Sequence, residues 1–137
     1  MRLIAALVVV AAPAAAQQSP LSFEAAKALP LANGQWDYFA TAGGSIAAYG
    51  NHIQLRCDRA TRTVTISRPN SAPAALTITT DASSRTLPPS GRLLANDPLL
   101  DAIAYSRGRF IVSGGAGPTV AVPSWPEAAR SIEDCRN

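Results

Sequence analysis

Across residues 53–67 apolar and polar side chains alternate with a period of two, and this pattern most restricts what the chain can become. Ile53, Leu55 and Cys57 alternate with Gln54, Arg56 and Asp58, and Val64 and Ile66 alternate with Thr63, Thr65 and Ser67. Successive strand side chains point to opposite faces, so the run predicts an antiparallel hairpin with one buried and one wet face. The connector Asp58-Arg59-Ala60-Thr61 supplies an Asp able to hydrogen-bond the backbone of a turn. Cys57 is in phase with Ile53 and Leu55, so its sulfur belongs to the buried face. A third run, Leu76 and Ile78 against Thr77 and Thr79, follows the loop at residues 69–73 and is expected to extend the same sheet.

That buried face needs a cover, and residues 124–135 offer one. Ser124 with Glu127 three positions on reads as a capping box, and Pro126 is tolerated in a first helical turn, whose N–H groups have no helical partner. Trp125, Ala128 with Ala129, Ile132 and Cys135 recur at helical spacing, which puts the second cysteine on the buried side. Glu127 and Arg130 can pair across one turn, whereas Glu133 and Asp134 sit at the unfavourable negative end of the helix dipole.

The remaining elements are shorter. Residues 35–40 (QWDYFA) read as a strand, with Trp36 as a core anchor beside Tyr38 and with Asp37 and Phe39 opposite. Residues 45–49 resume a strand after Gly43-Gly44, and residues 85–87 suggest another. Asp97-Pro98 opens a helix through Ser106, with Leu99, Leu100, Ile103 and Ala104 on its apolar side and Gly108 suited to its left-handed end. Residues 109–113 and 119–122 read as strands around a Gly-rich turn. Between Pro20 and Pro30, Ser22 can cap a two-turn helix over residues 23–29. The fold class expected is α+β: one small antiparallel sheet of about six or seven strands, two short helices on one face, and one disulfide.

The N-terminus has the grammar of an export signal. Arg2 precedes an apolar run over residues 3–12, and Ala14-Ala15-Ala16 provides the small residues of a cleavage site. The run is well short of the roughly 20 residues a membrane-spanning helix needs. The division is therefore a signal peptide at 1–16, a linker or short helix at 17–33 and a single β-rich domain at 34–137. In an oxidising compartment Cys57 and Cys135, the only two cysteines, are expected to pair. So long a closed loop stabilises by up to about 4 kcal/mol in the chain-entropy account.

Charge and motifs narrow the function classes. Loss of residues 1–16 takes Arg2 from the 12 basic side chains and leaves 11 against 9 acidic ones. The basic residues are scattered, which does not describe a nucleic-acid groove. The single histidine, His52, comes without a nucleophile motif, no metal-ligand set is apparent, and no cofactor is expected. Residues 114–117 lack the Lys-Ser/Thr of a phosphate loop and sit between strands, so they read as a hairpin turn. The one constellation with recognition chemistry is Arg107 and Arg109 flanking Gly108. Two guanidinium forks there can grip a carboxylate or phosphate, although a cation after a helix C-terminus also serves simply as a cap.

The segments DPLLDAIAYSRGRFIV and VPSWPEAARSIEDC, with the L-R-C-D strand end at Cys57, resemble small uncharacterised exported proteins of alphaproteobacteria. In these a helix, an S-R-G-R-F turn, a hairpin and an E-D-C-R ending recur together. The resemblance implies export and a bridge between Cys57 and Cys135, and it carries over no functional residue. The function expected is a non-enzymatic periplasmic or secreted module that binds an unknown protein or envelope polymer. An exported enzyme inhibitor acting through the loop at residues 69–73 is the second reading, and a small hydrolase using His52 the third.

Overall fold

A computed structural model describes residues 9–11 and 21–137. Most of the expected leader and the cleavage point before Gln17 lie outside the described residues. The chain folds as a small α+β domain of nine strands and three short helices, with all strand pairs antiparallel.

The alternating hairpin is as expected. Strands β1 (Trp36–Thr41), β2 (Gly44–Tyr49), β3 (Ile53–Asp58) and β4 (Thr63–Ser67) form a meander, with Asp58 paired to Thr63 at the turn. Asp58 accepts a hydrogen bond from the Ala60 N–H at 3.0 Å. Ile53, Leu55 and Cys57 are buried, as are Val64 and Ile66, while Arg56 on the other face is exposed. β2 is buried along nearly its whole length. A Cβ on Gly44 would overlap the Cys57 carbonyl oxygen, so only glycine lets these two strands approach at the disulfide.

The single expected sheet is in fact two. Strand β5 (Leu76–Thr79) does not continue beyond β4; it pairs with β6 (Ser84–Leu87) and β8 (Arg109–Gly114), and β9 (Val120–Pro123) completes a four-stranded sheet in the order β6-β5-β8-β9. A three-residue strand, β7 (Arg92–Leu94), returns to the first sheet beside β4 and makes it five-stranded. Alternation reports that one face of a strand is buried and not which sheet it joins, and β4 and β5 bury their faces in one core. Ile78, Leu87, Phe110, Val112 and Val122 of the second sheet cluster with Trp36, Tyr49, Leu55 and Ile66 of the first. The Trp36 ring lies 6.4 Å from Phe110 and 5.6 Å from Tyr49, and its indole N–H donates to the Pro123 carbonyl at 2.8 Å.

Helix α2 (Pro98–Ala104) starts as read, with Asp97 accepting from the Leu99 N–H at 2.9 Å and Leu99, Leu100 and Ile103 in the core. Helix α1 (Phe23–Ala26) is capped by Ser22 but is one turn rather than two. It lies against the outer side of the second sheet, where Ala26, Ile111 and Ala121 form a separate buried cluster with Phe23 and Leu29.

Helix α3 (Pro126–Asp134) covers β1, β2 and β3 and buries Ala128, Ser131, Ile132 and Cys135. Its capping box is not made. Pro126 takes the first helical position, for which its fixed φ is suited, and this moves the N-cap one residue on to Trp125. Ser124 Oγ and a Glu127 carboxylate oxygen are left buried without partners. Trp125 is half exposed and meets Tyr49 edge-on at 6.3 Å. Arg130 stacks over Tyr38 at 4.0 Å instead of pairing with Glu127. The acidic end of the helix is compensated from outside: Arg136 pairs with Glu133 at 3.3 Å, and Asp134 accepts from the Tyr38 hydroxyl with Arg59 at 3.8 Å. Burial penalises the charged Asp134 carboxylate, but the hydrogen bonds and neighbouring arginines outweigh it and hold its pKa below the usual value.

Cys57 and Cys135 are joined across 78 residues, with Cα atoms 5.6 Å apart and both sulfurs in the core. The double Cys57→Ser, Cys135→Ser variant is expected to lose up to about 4 kcal/mol. α3 should show the largest gain in amide exchange. Denaturant unfolding combined with hydrogen exchange checks both parts.

Candidate functional site

The S-R-G-R-F turn owes most of its residues to folding. Ser106 is buried; its hydroxyl donates to the Arg109 carbonyl at 2.6 Å and accepts from the Asp81 N–H at 3.2 Å, stapling the turn to the loop after β5. Gly108 has φ +72°, the left-handed conformation expected after the helix. Phe110 is wholly buried. The two arginines are engaged separately. Arg109 donates to the Leu29 carbonyl at 2.6 Å and to that of Lys27 at 3.5 Å, and so holds the segment after α1. Arg107 is almost fully exposed, with Asp81 at 3.6 Å.

Among the described residues the His52 ring makes no hydrogen bond to an acid or a hydroxyl. Its Nε2 faces the Asn33 carbonyl at 3.2 Å and its ring packs beside Tyr49. Among the described residues no three His, Cys, Asp or Glu side chains gather closely enough to hold a metal ion.

The feature that sequence reasoning missed is Arg68, directly after β4. A residue leaving a strand into a Pro-Asn loop reads as a surface position, yet Arg68 is only 7% exposed. No carboxylate pairs with it among the described residues; its guanidinium is ringed by main-chain oxygens. Nε donates to Gly114 at 3.1 Å, Nη2 to Pro118 at 2.7 Å and Nη1, more weakly, to His52 at 3.5 Å. The Gly-rich run therefore does form a hairpin turn, and the turn wraps a buried cation. Burial pushes the Arg68 pKa down, which is the cost of taking its charge out of water. Arg68 also lines a cleft of about 250 Å³, walled by residues 71–74 of the following loop and the turn at residues 115–116. The loop named for the inhibitor reading thus forms one side of a cavity, and its Asn70 adopts φ +58° and donates to Asn51 at 3.2 Å.

A second unassigned surface is the outer face of the five-stranded sheet. Register aligns Phe39, Ile46, Arg56, Thr65 and Arg92 in one row across all five strands. Phe39 is 50% exposed and Leu94, on the same face, 65%. Among the described residues β1 is paired with another strand on one side only, since it ends the strand order.

Comparison with known protein families, with curated proteins and with solved structures found no match to this chain. The geometry alone therefore carries the functional argument.

Gly117 has no room for a side chain, because its Cβ would stand 2.7 Å from Arg68 Nη1. Gly117→Ala should displace the guanidinium from its carbonyl ring and cost about 1–3 kcal/mol, the range for overpacking a filled site. Gly43→Ala, where a Cβ meets nothing within 4 Å, should change stability by a few tenths of that. Parallel denaturation curves of the two variants make the comparison.

Proposed function

We propose that this chain is an exported, non-enzymatic binding module that takes a protein partner on the open face and free edge of its five-stranded sheet. The observation that carries the reading is the outward row headed by Phe39 on edge strand β1. A large apolar side chain held half exposed on an unpaired six-residue edge is costly in a protein that works alone, because such edges recruit other strands. An extended segment adding to β1 would pair its main-chain groups and cover Phe39 together. The His52 ring nitrogen faces a main-chain carbonyl, that of Asn33, rather than a hydroxyl or a carboxylate, so a hydrolase gains no support from its hydrogen bonding.

Export rests on two independent features. The charged start, apolar run and Ala-Ala-Ala of residues 2–16 have the composition of a cleaved leader. The buried bridge between Cys57 and Cys135 belongs to an oxidising compartment. Among the described residues no helix is long and apolar enough to cross a membrane.

Two measurements test this reading. The protein recovered after export should begin near Gln17, and an intact mass that retains Met1 overturns the leader. A photocrosslinking amino acid at Phe39, introduced in the producing cell, should capture a discrete protein. The same probe at exposed Glu24 on α1 should not, and identical adducts at both positions would remove the open sheet as the partner surface.

A further inference from the structure

We infer that the cleft beside Arg68 is an oxyanion-binding site, shaped to hold a carboxylate or phosphate group of a small ligand. It lies among the end of β4, the β4–β5 loop, the Pro89-Ser90 corner and the turn after β8, so it shares Thr65 with the outer face of the sheet but stands three strands away from Phe39 and the β1 edge. The inference stands on the imbalance of charge and the chemistry of the lining.

A guanidinium has five N–H groups, and here three hydrogen bonds are made, all to neutral carbonyls. Two N–H groups are left without a protein partner among the described residues. A buried cation is ordinarily paired with a carboxylate, because the desolvation of the charge has to be offset. Carbonyl dipoles offset part of that cost and leave the net positive charge in place. If pinning the loops were its only task, a guanidinium with two free N–H groups and no counter-charge, on a residue that lines a cavity, would be an expensive means to it.

The rest of the wall is complementary to an anion. Four hydroxyl-bearing residues, Thr65, Ser67, Ser71 and Ser90, are among those that line the cleft, and no Asp or Glu lines it. A volume of about 250 Å³ admits a small organic acid or a phosphate with its water. The position of the charge is also fixed in advance. Three carbonyls hold the Arg68 fork, and a side chain at Gly117 would collide with it. A preorganised fork loses little conformational freedom on binding, which is the circumstance in which Arg outperforms Lys.

The test uses the mature, disulfide-bonded protein titrated with acetate, with inorganic phosphate and with polygalacturonate, the ionic strength being held constant with chloride. The readout is the NMR signal of the Arg68 side-chain Nε–H. Saturable shifts in the millimolar range or tighter are expected from at least one of the three. Binding of the free ions identifies a small-molecule site, and binding of the polymer alone identifies the same group on an envelope polysaccharide. Arg68→Gln should weaken binding at least tenfold, as loss of a charge-assisted contact requires. Because Arg68→Gln also removes the pin between three segments, a second variant decides the matter. Ala74→Phe fills the cleft from its loop wall and leaves the guanidinium and its carbonyls in place. It should abolish the shifts while the unfolding midpoint stays near that of the parent. Absence of saturable binding to all three probes, or equal binding by the Ala74→Phe protein, overturns the inference, and neither result bears on the Phe39 surface.

Discussion

The two sheets are held in one body by Trp36. Its ring is shared between Tyr49 on its own sheet and Phe110 on the other, and its indole N–H reaches the Pro123 carbonyl at the end of β9. A buried indole without a partner would leave a polar group unpaired, so this hydrogen bond sets where β9 lies as well as contributing to stability. Pro123 is also where the chain leaves β9 for α3. The placement of the covering helix, and with it the meeting of Cys135 with Cys57, therefore follows from the seat of one side chain on an edge strand.

What could be read from the sequence was what local periodicity and local caps determine. The β3–β4 hairpin, the Asp97 cap of α2, the left-handed Gly108, the β8–β9 hairpin and the phase of Cys57 and Cys135 each depend on residues within a few positions of one another. What could not be read depended on distant partners. β5 has the same alternation whichever sheet it joins, and β7 has three residues, too few to show any period. The failed capping box is a local conflict between two valid signals, in which Pro126 at the first helical position overrode Ser124. Arg68 lay furthest out of reach, since its partners Gly114 and Pro118 are more than forty positions away and contribute only main-chain oxygens. The glycines around residue 115 were legible as a turn, whereas the cation inside the turn was not.

The arginines illustrate how a single residue type divides its labour. Arg109 and Arg136 bind carbonyls and acids that fix chain segments: Arg109 holds the stretch after α1, and Arg136 joins Ala95, Asp101 and Glu133. Arg130 spreads its plane over Tyr38, and Arg56 and Arg92 point outward from the open sheet. Arg68 alone combines deep burial with a cavity wall free of acids. A net charge of only +3 conceals this distribution, because the positions of the charges carry the chemistry and their sum does not.

The order in which the chain visits its sheets has a consequence for how the protein can be made. After β4 it leaves for β5 and β6, returns for β7, and leaves again for β8 and β9. Neither sheet occupies a continuous stretch of sequence, and each supplies the wall against which the other buries its apolar face. A partly synthesised chain thus lacks the wall on which its first sheet buries its apolar face. Such distant pairings are closed late and together, since loop closure must precede the contacts that reward it. The interleaving thus makes the two sheets one cooperative unit, since neither can be completed without the chain that builds the other.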